Sequence, residues 1–321
     1  MNTQTPVVIG VICRNGDKFL PACLASLPAD AHIVLVDSAS SDRTHAIMAE
    51  FAHRRGAEFY ALSGEVNASV ARNVILAHAP VGHLLLLDGD IVLNPAFLSE
   101  AIEILDGGSA KAVCGSLLDK YHDVAGNFTG ETYLRYGTRS AGPVRSTGGI
   151  IAIAAIARSA SVRFDETLDR NEDTDFSLRL SRSGTITFIK TPMGEHLTQR
   201  YYEGQRGRQW FVEQHPRSIG RLIVRHLNGP DLLHIAQLEK GVAIGALLLL
   251  VSALAIVLSL MGLPIALAVA ALLWLADLLQ FVRRKSLSDY TRTRVFSPLF
   301  ALKGLFDTGR HQPQYHLNKV V

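Results

Sequence analysis

The chain has 321 residues, 48% of them hydrophobic, and carries 32 Lys and Arg against 29 Asp and Glu for a formal net charge of +3. So small a balance argues against a nucleic-acid footprint, and Cys13, Cys23 and Cys114 show no metal-ligand spacing and are expected as reduced core residues. The length suits about two domains.

Residues up to 120 alternate short apolar runs with helical patterns, the order expected of a parallel sheet covered by helices. Strands are predicted at 7–13, 32–37, 58–62 and 83–88, and helices at 18–27, 41–55 and 67–79. The second helix has Ser40 or Ser41 as N-cap candidates and stops at Gly56. At 83–90 the run HLLLLDGD carries four leucines straight into Asp88 and Asp90. Carboxylates at a strand's carboxyl end lie where ligands bind open α/β sheets, and two of them can hold a divalent cation through hard oxygens. The same D-G-D could be a plain polar turn. Asp37 ends the second strand as Asp88 ends the fourth, so both belong to one edge of the sheet; it could bind a nucleotide's base or ribose, or serve as an N-cap or turn residue, with Asp42 the better candidate for the cap.

Beyond Asp119 the pattern loosens. A helix is predicted at 127–138, an apolar run opens at Thr147, Gly148 and Gly149, a helix follows at 171–182 and a strand at 185–190. Glu172, Asp173 and Asp175 open the 171–182 helix, where the dipole favours acids, and Arg179 stands four residues beyond Asp175. Residues 217–225 read as an amphipathic helix, either at a membrane interface or solvated on the globular part.

From Gly241 to Val282, 42 residues hold one ionisable side chain, Asp277. A bilayer span takes about 20 apolar residues, so two spans are expected, at 241–260 and 264–282. Lys240 precedes the first and Arg283, Arg284 and Lys285 follow the second, which places both ends on the cytosolic side of the inner membrane. The first 240 residues lack a signal-peptide pattern at the start and are expected in the cytosol. Asp277 lies six residues before Arg283 and is expected to reach the interface as an anchor. The tail, 283–321, holds eight Lys or Arg against two Asp, a balance suited to an anionic surface, with an interfacial helix expected at 297–304. Three parts follow: a cytosolic α/β domain at 1–230, a hairpin at 241–282 and a basic cytosolic or interfacial tail.

The ordered set VDSASSDRT, VARNVI, LLLLDGD, TGGIIA and FDE followed by NEDTDFSLRL resembles the inverting family 2 glycosyltransferases over about residues 7–200. The resemblance implies an α/β GT-A fold, with a mostly parallel central sheet, and a metal-dependent hexosyltransferase. On this chain it implies that Asp37 binds the nucleotide base and that Asp88 and Asp90 hold Mg2+ or Mn2+ against the donor diphosphate. Arg72 and Asn73 would line the nucleotide pocket, and Gly148 and Gly149 would approach the sugar. Asp173 would be the catalytic base, beside Glu172. His196 is a candidate further metal ligand. In GQRGRQW, Gln205 and Arg208 match the Q-x-x-R-W signature of membrane polysaccharide synthases, but Trp210 is one place late. Arg206 and Arg208 remain candidates for contacting the diphosphate or the membrane.

The expected function is transfer from a nucleotide sugar, UDP-linked by preference, to a lipid-linked or membrane-surface acceptor, as in cell-surface polysaccharide or glycolipid synthesis. Alternatives are a polyprenyl-phosphate glycosyltransferase, a small polysaccharide synthase, a nucleotidyltransferase or a non-catalytic membrane scaffold. The partners are the donor, the acceptor and the bilayer, with no nucleic acid and with a homo-oligomer left open.

Overall fold

A computed structural model of the chain describes residues 5–147, 151–155, 162–200, 204–283, 285–307 and 312–321, without side chains at 204–206. The chain divides into two compact units, Met1–Glu203 with His311–Val321, and Gly204–Arg310.

The first unit begins β1 (Val7–Cys13), α1 (Leu20–Ala25), β2 (His32–Ser38), α2 (Thr44–Arg55), β3 (Glu58–Gly64), α3 (Ala68–His78) and β4 (His83–Asp88). These strands are buried apolar runs because helices cover them, as parallel strands require. Then come β5 (Ile91–Leu93), α4 (Pro95–Asp106), β6 (Ala112–Gly115), β7 (Leu117–His122), β8 (Phe128–Arg135), β9 (Gly142–Val144), β10 (Ile151–Ile153), α5 (Glu172–Ser181), β11 (Ile186–Ile189), β12 (Gly194–Thr198) and, near the C-terminus, β13 (Tyr315–Lys319). Among the described residues, the larger sheet has the order β13-β3-β2-β1-β4-β10-β6-β11-β9 and a smaller one β5-β12-β7-β8. The β3-β2-β1-β4 block is parallel throughout, as is β6 with β11, whereas β13, β10 and β9 join antiparallel.

α2 ends at Gly56, whose φ of 64° is the left-handed cap that an L side chain adopts only with strain. Its start differs from expectation. The helix opens at Thr44, whose N–H donates to Asp42 Oδ1 at 2.9 Å, while Ser40 and Ser41 bond to Asn15. The helix predicted at 127–138 is also overturned: Phe128–Arg135 is a strand paired with β7 after a turn in which Asp123 accepts the N–H groups of Ala125 and Asn127. Thr, Phe and Tyr favour a strand there, and exposure along almost its whole length left no apolar stripe to read.

The expected boundary at 230 falls inside the second unit. The end of the expected tail departs too: β13 pairs with β3, and the Lys319 ammonium lies 3.1 Å from Glu58. An extra strand here covers backbone groups that β3 would otherwise present as an open edge.

The second unit is helical: α6 (Gly204–Val212), α7 (Arg217–Arg225), α8 (Leu232–Leu238), α9 (Lys240–Leu260), α10 (Ile265–Val282), α11 (Leu287–Thr291), a π-helical turn at Arg292–Phe296, and α12 (Ser297–Leu305). α9 and α10 have 21 and 18 residues with hydropathies of 2.8 and 2.2, long and apolar enough to cross a membrane. The Trp274 indole N–H donates to Ser252 Oγ across this hairpin at 2.8 Å. Asp277 is paired within the unit, 2.8 Å from the Arg294 guanidinium. α7 is a helix as predicted, with Ile219 and Leu222 buried, and it packs against α12. A Cβ at Gly220 would lie 2.1 Å from the Ala301 carbonyl, and one at Gly304 2.1 Å from the Arg217 carbonyl, so the two backbones touch. Arg217 and Arg221 both donate to Asp307 beside this crossing.

Candidate active site

Register places the first acidic groups. β1 pairs Cys13 with Asp37 on one side and Ile12 with Asp88 on the other, so both carboxylates stand at the carboxyl edge. The chain leaves β1 for β2 and β3, then returns to lay β4 on the opposite side of β1. This reversal is a topological switch point, where the loops diverge and a ligand crevice opens.

Asp37 is buried and accepts from the Ser40 N–H at 3.0 Å and faces His45 Nδ1 at 3.1 Å. The adjoining loops are laced together by Asn15, which accepts from the Ser41 N–H at 2.8 Å, and by the Gly16 N–H, which donates to Thr44 Oγ1 at 2.8 Å. Asp37 thus holds its own turn, one of the two readings of the sequence, while standing at the edge of the crevice.

The glycine between Asp88 and Asp90 answers to packing. A Cβ at Gly89 would lie 2.7 Å from Cys13 Sγ and 2.8 Å from Cys13 Cβ, inside contact distance. Arg72, buried on α3, then joins two distant segments: one amino group reaches Asp88 Oδ1 at 2.9 Å and the other Glu172 Oε1 at 2.6 Å. Its guanidinium sits 5.5 Å from the centre of the Phe164 ring. Burial opposes charge on Arg72, but Asp88 and Glu172 reverse that and hold it firmly protonated. Burial pushes the Glu172 carboxyl above its usual range, with Arg72 pulling the other way.

Asn73, expected to line the nucleotide pocket, has its side chain engaged by a neighbouring segment. Its side chain accepts from the Phe164 N–H at 2.9 Å and donates to the Phe164 carbonyl at 3.0 Å and Glu166 Oε1 at 2.8 Å. With Asn67 on the Glu166 carbonyl and Ser69 on the Leu168 carbonyl, it fastens the 164–168 segment to α3.

Asp173 lies in the first turn of α5, next to Glu172, and accepts from the Thr174 N–H at 2.7 Å. Asn171 precedes it with φ of 60°, a left-handed turn that aims the helix start. Asp175 is buried, its Oδ2 2.5 Å from Arg179, confirming the four-residue ion pair. The Thr147 N–H donates to Ser177 Oγ at 3.1 Å, which ties the start of the TGG segment to α5. Gly148 and Gly149 lie outside the described residues, as does the side chain of Arg206; Arg208 is exposed on α6 in the second unit.

His196 and Asp90 are brought together. The imidazole Nε2 faces Asp90 Oδ2 at 3.3 Å and Nδ1 faces Asp119 Oδ1 at 2.7 Å. Burial would lower the His196 pKa, but the bonds to Asp119 and Asp90 raise it to about 9. Burial would raise Asp119, yet His196 and Arg135 hold it below the usual carboxylate range. Asp119 is absent from the sequence-predicted set. Its signal was faint: in LLDKYH it alternates with buried Leu117, which puts an acid on the covered face of a strand.

Among the described residues, no group of three or more His, Cys, Asp or Glu side chains is gathered as a ready metal site. What stands at the edge is an open set, with the side chains of Asp88 and Asp90 36% and 37% exposed and one His196 nitrogen facing Asp90. Such a set fits Mg2+ or Mn2+, hard ions that keep waters and take the remaining ligands from substrate phosphates.

Comparison with known proteins gives the same architecture. Residues 8–161 match glycosyl transferase family 2. No curated protein matches the sequence. Among solved structures, residues 1–349 of S. aureus TarS in complex with UDP-GlcNAc superpose with a TM-score of 0.53 at 20% identity, covering 72% of this chain and 70% of that one. TarS 1–349 without that ligand gives 0.50 at 19% identity, over 72% and 68%. Against the longer S. aureus TarS structure the score is again 0.50, and the match spans 42% of that chain. Likeness at this identity establishes a shared fold.

Proposed function

We propose that this chain, a family 2 glycosyltransferase by its residues 8–161, moves a sugar with inversion from a UDP-sugar to a lipid-linked acceptor at the inner membrane. The observation that carries the reading is the bridge made by Arg72. It holds Asp88, at the switch-point edge, and Glu172, beside Asp173, in one cluster. One cation thus ties a donor-side carboxylate to the segment that carries the candidate base, which supports a shared site. The UDP-GlcNAc bound to the similarly folded TarS domain supports the choice of nucleotide.

In this mechanism Asp173 accepts the proton of the acceptor hydroxyl as that oxygen attacks the anomeric carbon in line with the departing diphosphate. Asp88, Asp90 and His196 would hold Mg2+ or Mn2+, which when bound neutralises the charge growing on the diphosphate. Asp37 receives the nucleotide's polar edge. Arg72 keeps Glu172 and Asp88 in place. The two apolar helices support a membrane-surface acceptor, and the cations flanking them support a cytosolic catalytic unit.

The test uses the full chain in membranes with Mn2+ and a panel of nucleotide sugars, reading UDP release and label in the lipid fraction. Asp173→Asn is expected to lose turnover by a factor on the order of 100 or more while still binding UDP. Unimpaired turnover in that variant, or consumption of nucleoside triphosphates in place of nucleotide sugars, overturns the proposal.

A further inference from the structure

β7 and β8 supply a group that the donor site needs and that no motif names. We infer that Asp119, clamped by Arg135, is a positioning residue that fixes the His196 imidazole for binding the donor metal. The inference rests on the metal reading above.

Three geometric relationships carry it. First, the two nitrogens of His196 face different groups: Nδ1 lies 2.7 Å from Asp119 Oδ1 and 2.5 Å from Arg135 Nη2, which itself holds Asp119, and Nε2 faces Asp90 Oδ2 at 3.3 Å. A ring that binds a metal through Nε2 and keeps its Nδ1 proton toward Asp119 would present the Nε2 lone pair to the ion, beside Asp90. A carboxylate behind a ligating histidine fixes both its tautomer and its ring plane. Second, Asp119 is 4% exposed. A carboxylate so buried requires compensation, and Arg135 supplies it through Nε at 2.7 Å and Nη2 at 2.6 Å. Third, the sheet itself sets the register: His196 pairs with Asp119 across β12 and β7, and with Ile91, next to Asp90, across β12 and β5. Backbone ladders thus place Asp90, His196 and Asp119 in sequence across three strands. A staple that merely joined β7 to β8 would need Arg135 and Asp119 alone, with no imidazole turned toward Asp90.

The experiment measures Mn2+ affinity of the detergent-solubilised full chain with UDP present, by electron paramagnetic resonance, and the nitrogen modulation that a bound imidazole imposes on the Mn2+ signal. Asp119→Ala is expected to weaken Mn2+ binding roughly 10- to 100-fold and to diminish the nitrogen modulation, which His196→Ala abolishes. Asp119→Asn, nearly isosteric and better able to fold, is expected to fall between Asp119→Ala and the unaltered protein. Glu195→Gln, on the opposite face of β12 where Glu195 meets Lys120 at 2.7 Å, should leave both readings unchanged. Loss of Mn2+ binding in Asp90→Asn with affinity and modulation preserved in both Asp119 variants overturns this inference alone. An unaltered protein that binds no Mn2+ with UDP overturns the metal reading and this inference together.

Discussion

The guanidinium of Arg72 lies 2.9 Å from Asp88, an ion pair that reaches from the middle of α3 to the carboxyl end of β4. Because Arg72 also bonds Glu172, removing it leaves two partly exposed carboxylates, Glu172 the more covered, without their cation. Arg72→Met is expected to destabilise the first unit by about 3 kcal/mol, the low end for breaking a buried pair. Arg72→Lys should recover only part, since a single ammonium cannot span two carboxylates as a planar fork does. Thermal unfolding in detergent checks both, and an Arg72→Met protein as stable as the original would count against a bridging role. Glu172→Gln added to Arg72→Met should restore some stability, because the carboxylate left without a partner is then gone.

Gly89 gives a separate prediction. Its missing Cβ leaves room for Cys13, and Gly89→Ala forces a clash at 2.7 Å with Sγ and 2.8 Å with Cβ of Cys13, with Leu20 Cδ1 in tight contact at 3.2 Å. The expected cost is about 1 to 3 kcal/mol, the range for overpacking a core. Cys13→Ala in the same chain removes the sulfur contact and should relieve part of that cost. A double variant no better than Gly89→Ala alone would show that the glycine is needed for another reason.

These two sites differ in how far the sequence disclosed them. The buried strands were legible because burial on both faces writes itself as an unbroken apolar run, as in VVIGVIC and HLLLLD. Asp37, Asp88 and Asp90 were legible because each interrupts or ends such a run. Phe128–Arg135 and Tyr315–Lys319 were not: each is a sheet-edge strand, the first exposed and the second half-buried, whose identity comes from a partner, and β13 finds its partner more than 250 residues back. Arg72 stood out by its motif, but its task depends on Glu172, a hundred positions away. Asn73 belonged to the same motif, yet its amide is taken by Phe164 and Glu166, which periodicity on α3 could not reveal.

A pH dependence follows from Cys114 in β6. Burial pushes its thiol from 9.0 up to about 12, with Arg139 pulling weakly downward. The folded state therefore binds this proton more tightly than the unfolded state does. The stability it contributes is full below pH 9 and is lost as pH rises toward 12. The slope from this group is roughly 1 kcal/mol per pH unit within that window. Cys114→Ala should flatten the alkaline limb of a stability curve, and Cys114 should resist alkylation at pH 8 until the protein unfolds. Rapid alkylation of the native protein would refute the assignment.

In the second unit, Asp277 on α10 and Arg294 after α11 form an ion pair at 2.8 Å, and Arg294 also donates to the Gly241 carbonyl at 3.0 Å. The sequence suggested that Asp277 anchors at an interface; the structure gives it a partner from the segment that follows the hairpin. Both side chains are largely buried within the unit, so either one alone is a charge without compensation. Asp277→Ala and Arg294→Ala should each lower stability by about 3 kcal/mol. Replacing both with leucine should cost less than the two single changes added together, because no orphan charge remains and apolar side chains fill the space. A double-mutant cycle read by thermal unfolding in detergent supplies the coupling. Additive losses would mean that the two side chains act independently, and Arg294 would then serve the Gly241 carbonyl at the start of the hairpin more than it serves Asp277.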